Sequence, residues 1–411
     1  MPPALRIVHL NSLLTGGGTD DQCVKLASGL HQLGQDVRIA GPGGRDFSKI
    51  IASLGVPFFD TGNHASKVHF IFRAARLMRR EKTQIVHGHH GRDLWRTILA
   101  ARLSGTKPKI ILTRHMAKSP RSWFSRRFLL GQCDALIAVS EFVARVLREG
   151  VFEPESPEAE RRARPPLRGD PRKIHVIHGG IDTHRFRPLD ALEQRRAWKL
   201  GPEDFAFGVV GGYSVPRGKG QREFLQAAAQ IHERIPHARF LIVGRGDLAA
   251  TLKSDIQSLG LADKAWLTPY CHDMPRAMNA LDCLVHPQIG TEALGLVICE
   301  AHACGKPVIA SALDGIPEAF APGNYGTLVT PESVEELAAA MWTGLAARDR
   351  TKSFRTRCTR ECARLFPSRT PLHECCGFTG NCSRPTTALN AICDERKNST
   401  TQTGLLCPQV L

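Results

Sequence analysis

The stretch GTEALGLVICEAHACGKPVIAS, residues 290–311, carries two carboxylates, Glu292 and Glu300, eight positions apart. An apolar helical run opens after Gly295 and closes at Gly305-Lys306-Pro307, before a short apolar strand. This places Glu292 in the loop before a helix and Glu300 about one and a half turns into it. A helix start offers amides without intrahelical partners and the positive end of the macrodipole, so a diphosphate can rest near Gly295. One glutamate then stands on each side of it, able to accept the hydroxyls of a sugar. Alone, the same spacing suits two solvated surface charges, and the pattern needs its context. Histidines gather at other strand ends: His115 closes KIILTRH, and His87, His89 and His90 lie in VHGHHGRD. Such a group can ligate a metal or line a wall.

The elements that must position these residues alternate regularly. LRIVHL reads as a strand, Gly16-Gly17-Gly18 as a loop, and DDQCVKLASGLHQLG as a helix ending at Gly34. QIVHGHH, KIILTRH and ALIAVS continue the rhythm, each followed by a helical segment, which predicts a parallel sheet covered on both faces. A second series runs through FAFGVVGGYS, ARFLIVGRG, KAWLTPY, CLVHPQ, KPVIAS and GTLVT. The expected fold is α/β: two doubly wound Rossmann-like domains, 1–185 and 205–350, joined by a linker at 186–204 and facing a cleft that holds the active site. The proline- and charge-rich run 153–173 reads as a mobile loop, and 351–411 as an aberrant or disordered tail.

Composition bounds the reading. The chain has 411 residues, 42% of them apolar, enough for two cores. No apolar run approaches the roughly 18 residues of a spanning helix, and the N-terminus does not read as a signal peptide, so a cytoplasmic location is expected. The net charge of +16 is concentrated before residue 200, which suggests that the first domain meets an anionic surface or substrate. More than half of the 13 cysteines crowd the tail, where spacings such as Cys358 to Cys362 match no common zinc pairing.

Several ordered motifs then coincide. The segment 290–311 resembles the Glu-x7-Glu signature of family 4 retaining glycosyltransferases of the GT-B architecture, including its Gly-Lys-Pro-Val-Ile strand entry. TGGGTDDQ, ALIAVSEFVARVL, VIHGGIDTHRFRP, VPRGKGQREFLQAAAQI, FLIVGRGD and DGIPEAF extend the resemblance over most of residues 5–345. It implies that Glu292 contacts the transferred sugar and Glu300 the nucleotide ribose. Lys219 and Arg217 would face the diphosphate, where cations stabilise the leaving charge. Gly17 and Gly18, lacking Cβ, would approach the same phosphates, and Gly295 and Leu296 would complete the donor site. An ordinary strand-to-helix turn explains the two N-terminal glycines equally simply. His115 matches the histidine beside the sugar and acceptor, and His87, His89 and His90 read as an acceptor-side wall. A metal is not expected, because this architecture uses none and there is no convincing Asp-x-Asp. Two departures stand out. Gly212 sits where the family commonly has arginine, leaving Arg217 to supply the charge, and nothing after about Pro367 resembles the helix that usually crosses back.

Residues 67–82, KVHFIFRAARLMRREK, mix apolar and cationic side chains. They suit either a helix on an anionic membrane or a core-facing helix with a basic outer face. The cations of RSWFSRRF, residues 121–128, could guide a phosphorylated or lipid-linked acceptor. Nucleic acid is not expected, since no binding module is present. The function expected is a retaining, metal-independent glycosyltransferase without cofactor, moving a sugar from a nucleoside diphosphate sugar to a cell-envelope glycan or glycolipid such as lipopolysaccharide core. The alternatives are a catalytically weak binding or scaffold protein, or another GT-B enzyme such as a phosphorylase or nucleotide-sugar epimerase.

Overall fold

A computed structural model describes residues 3–15, 17–43, 46–62, 66–150, 165–214, 218–269, 271–320 and 326–346. Among them, β1 (Arg6–Leu10), β2 (Asp36–Gly41), β3 (Phe58–Asp60), β4 (Ile85–Gly88), β5 (Lys109–Arg114), β6 (Ala135–Ala138) and β7 (Ile174–Val176) form a sheet of order 3-2-1-4-5-6-7. A second sheet of order 10-9-8-11-12-13 contains β8 (Phe205–Val210), β9 (Ala238–Val243), β10 (Ala265–Leu267), β11 (Cys283–His286), β12 (Val308–Ser311) and β13 (Gly326–Val329). All pairings are parallel. Both faces of such a sheet are covered by helices, which is why FAFGVV is buried at every position instead of alternating. The α/β fold of two doubly wound domains expected from the alternation is therefore the one observed.

In each sheet the strand order reverses at one point, between β1 and β4 and between β8 and β11, and ligands of open α/β sheets bind outside that point. The register across the first reversal sets His9 directly beside His87 and Leu10 beside Gly88.

The segment expected as a linker is built into the second domain. Ile181, Phe186, Trp198 and Leu200 are buried in one cluster with Leu241, Met278 and Ile298. Arg195, on the short helix Leu192–Ala197, donates to Asp282 at 2.9 Å and to the carbonyls of Ala280 and Asp204. The apolar side chains that a linker would expose thus complete a core, and the second domain begins in packing terms near Ile181.

The helix Lys67–Arg80 starts at Ser66, whose hydroxyl accepts from His69 N, and turns Phe70, Ala74, Leu77 and Met78 into the core. Arg79 donates to the carbonyls of Leu103 and Ser104 at the end of the neighbouring helix, and Arg73 to Asp60 O. This is the core-facing arrangement, with only Val68 and Phe72 left as exposed apolar side chains on it. Of the run 153–173, residues 165–173 are described and end in a 3-10 turn, Pro171–Lys173, whose start the Asp170 carboxylate caps by accepting from Arg172 N at 3.0 Å. Residues 153–164, Arg217 and the tail 351–411 lie outside the described residues.

Candidate functional site

In the second domain, Glu292 follows β11 and Gly295 introduces the helix Leu296–Ala303. Gly295 has φ 83°, a left-handed conformation that side chains other than glycine adopt at a cost, and no side chain caps the helix start it creates. Lys219, from the loop after β8, donates to Glu292 Oε2 at 3.1 Å, and His286 Nε2, at the end of β11, lies 3.9 Å from the same oxygen. Burial alone would raise the Glu292 carboxyl, but Lys219 and His286 outweigh it and hold the group below the ordinary carboxylate value. For His286, burial and then Lys219 push the imidazole down to about 4, against the pull of Glu292, so it is neutral near pH 7.

Glu300 stands further along the same helix, mostly buried, with Lys25 Nζ 3.9 Å away. Burial is the largest influence on it and drives its carboxyl up to about 7, while Lys25 and Arg185 pull down and Asp21 pushes up. Lys25 belongs to the helix Gly18–Gln32 of the first domain and pairs with Asp21 at 2.6 Å. The two carboxylates flanking the helix start are thus in different electrostatic states, Glu292 ionised beside the Lys219 ammonium and Glu300 poised to titrate.

The first domain supplies the opposite half. Gly17, at φ 128°, precedes the helix Gly18–Gln32, and a Cβ placed on Gly17 or Gly18 would meet no protein atom within 4 Å. The backbone there faces open space that a ligand can approach closely. His89 and His115 stack with ring centroids 5.8 Å apart, and His87 lies 4.1 Å from His89. His90 turns away to Asp20 Oδ1 at 2.8 Å, an oxygen also bonded by Asn11 Nδ2. Burial first, then His90 and Arg114, lower the His115 imidazole to about 4; burial and neighbouring histidines hold His87 and His89 well below their usual value. His87, His89 and His115 are therefore neutral at physiological pH.

His9, His87 and His89 each bring one nitrogen within 4.8 Å of the others. Zinc bonds of about 2.0–2.1 Å set tetrahedral ligand nitrogens about 3.3 Å apart. Here His9 Nδ1 and His89 Nε2 share a 2.9 Å hydrogen bond, and Thr113 occupies His87 Nε2 at 2.6 Å. His9 Nε2 and His89 Nδ1 lack the outer partners that orient ligating imidazoles. The trio fits a neutral hydrogen-bonded network better than an ion.

Lys219 and Glu292 therefore meet, as do His87, His89 and His115, whereas His90 stands apart on Asp20. Lys25, His286, His9 and Asp20 were not singled out by sequence. His286 had a visible signal, a histidine closing the strand in CLVHPQ; Lys25 had none, because its partner comes from the other domain.

Two family models match the chain, Glycosyltransferase Family 4 over residues 16–157 and Glycosyl transferases group 1 over residues 204–346. A D-inositol 3-phosphate glycosyltransferase of Mycobacterium marinum is 34% identical over 181 residues, 42% of this chain. The match spans 37% of that relative's length. Among solved structures, Anabaena HepE in complex with UDP and glucose superposes with TM-score 0.72 at 20% identity, covering 88% of this chain and 95% of that one. A Rickettsia africae glycosyltransferase reaches TM-score 0.74 at 21% identity, covering 88% and 94%. Sequence and architecture agree, and the chain belongs to glycosyltransferase family 4, with the two-domain GT-B fold.

Proposed function

We propose that the protein transfers a sugar from a nucleoside diphosphate sugar to a cell-envelope glycan or glycolipid acceptor such as lipopolysaccharide core, with retention at the anomeric carbon and without a divalent ion. The observation that carries this reading is the pair of glutamates on either side of the helix start at Gly295, with Lys219 3.1 Å from Glu292. A diphosphate at Gly295 and Leu296 meets the helix dipole and the Lys219 ammonium, and Arg217 adds charge from the same loop. Glu300 accepts the ribose hydroxyls, Glu292 those of the transferred sugar, and the neutral His115 stands beside the acceptor hydroxyl. Gly17 and Gly18 let the first domain close on the phosphates. The acceptor oxygen forms its bond to the anomeric carbon on the face from which the diphosphate leaves, and the acceptor proton passes to a diphosphate oxygen.

HepE, of the same fold, is bound to UDP and glucose, which favours a uridine donor here. The Mycobacterium relative is named for a phosphorylated acceptor, in keeping with the basic first domain of this chain. Among the described residues no helix is long and apolar enough to cross a membrane. Peripheral contact at a cytoplasmic membrane face falls instead to Met116, Trp123 and Phe124, which are 53%, 63% and 52% exposed beside Arg121 and Arg127. A panel of nucleotide sugars incubated with purified protein tests the activity: turnover of one donor supports it, and turnover of none defeats it.

A further inference from the structure

Two of the segments singled out by sequence, ALIAVSEFVARVL and DGIPEAF, have no part in the donor or acceptor contacts above, yet they meet across the domain boundary. The Glu318 carboxylate of the second domain accepts from the backbone amides of Glu141 at 2.6 Å and Phe142 at 2.7 Å, the first two residues of the helix Glu141–Arg148 in the first domain. It also takes a bond of 3.0 Å from His178 Nε2, in the passage between the domains. Ser140, the residue before that helix, accepts from Val143 N at 3.1 Å and donates through the same hydroxyl to Ala293 O at 2.6 Å. Ala293 adjoins Glu292, whose own carbonyl accepts from Gly315 N at 3.2 Å. A Cβ on Gly315 would lie 2.0 Å from Ala293 O, so glycine is what lets the Glu318 turn pack against the Glu292 loop.

We infer that Glu318 and Ser140 are positioning residues: by capping the helix Glu141–Arg148 from the second domain and tying its start to Ala293, they set the loop of Glu292 in register with the first-domain wall. A helix start is satisfied here by a carboxylate from the other domain, so separating the domains strands two amides and a charge together. The donor contacts, by contrast, lie mainly within the second domain. This junction therefore governs how the two halves are aligned for reaction more than how tightly the nucleotide is held. The inference rests on the transferase reading, which supplies the reaction being aligned.

The test compares the parent protein with Glu318→Ala, Glu318→Gln and Ser140→Ala, measuring donor turnover at saturation, UDP affinity by calorimetry, and the radius of gyration by small-angle scattering with UDP present. Misalignment of this kind should lower turnover about tenfold or more in Glu318→Ala, with UDP affinity within about twofold of the parent and an enlarged radius. Glu318→Gln keeps one acceptor oxygen and should fall between. Turnover unchanged in a variant that only melts lower, or turnover and UDP affinity falling in step, overturns the inference. A parent that turns over no donor defeats the transferase reading instead; the scattering comparison then decides alone, an unchanged radius in Glu318→Ala counting against the junction.

Discussion

Lys25 Nζ, on the first domain's helix Gly18–Gln32, lies 3.9 Å from Glu300 Oε1 on the second domain's helix Leu296–Ala303. At that distance, and with both side chains mostly shielded, the ammonium favours the ionised carboxylate, yet burial still leaves the group near 7. Cleft geometry and protonation are thereby joined in one contact.

Affinity for UDP should consequently depend on pH. Ribose hydroxyls donate to a carboxylate, so binding favours the ionised form and releases a proton. With the free group near 7, affinity should rise about tenfold from pH 6 to pH 8 and level off above, since one pH unit below a pKa costs one factor of ten. Glu300→Gln should flatten the curve, and Lys25→Met should move its midpoint upward. The folded value is raised, so the group's own contribution to stability is present below the unfolded value and lost as pH rises through about 7. Calorimetry across this range, in buffers of different ionisation enthalpy, reads both the affinity and the proton.

The two glutamates should fail differently. Glu300→Ala should weaken UDP binding by about 1.5–3 kcal/mol, the usual worth of hydrogen bonds to a charged group. Glu292→Ala should chiefly lower turnover of the whole donor. In Lys219→Met, burial of Glu292 is less opposed and its carboxyl rises, so the acid limb of the pH–rate profile should move to higher pH. Identical profiles for parent and Lys219→Met would separate the lysine from Glu292.

Turnover should survive excess EDTA, because Lys219 and the helix start at Gly295 receive the diphosphate charge. Loss of activity with EDTA, restored by magnesium or manganese, would contradict this.

Membrane contact and folding should divide between two helices. Trp123→Ala with Phe124→Ala should reduce co-sedimentation with anionic vesicles at a modest cost in stability, since Phe124 packs on Trp95 and Phe128 with ring centroids 4.9 Å apart in each pair. Arg79→Ala should instead cost stability on the order of 1 kcal/mol, since it holds the Leu103 and Ser104 carbonyls. Vesicle binding that survives the aromatic substitutions would remove that surface from consideration.

The strands and most helices were legible because parallel strands buried on both faces read as continuous apolar runs, and glycines punctuate their ends. Glu292 and Glu300 were legible for a related reason, both being placed by one local loop-helix unit. Lys25 was not, because its meeting with Glu300 depends on how two separately folded sheets face each other. Nor was the packing of residues 186–204: Phe186, Trp198 and Leu200 are too far apart in sequence to show a period, and only the second sheet gives them a common face. For 67–82 the pattern suited a membrane or a core, and the neighbouring helix, with carbonyls that Arg79 could reach, decided it.

The fusion of Ile181–Leu200 with the second core has a mechanical outcome. Along the described chain, the freedom of the two domains to turn is confined to the few residues between Val176 in β7 and Ile181. That short pivot contains Gly179 and Gly180, and both flanks are already engaged, His178 by Glu318 and the Gly180 carbonyl by Gln22. A side chain substituted at Gly179 presses on Leu296, at the start of the donor-site helix, and on Gln22 of the first domain, so one position in the pivot bears on both halves of the cleft at once.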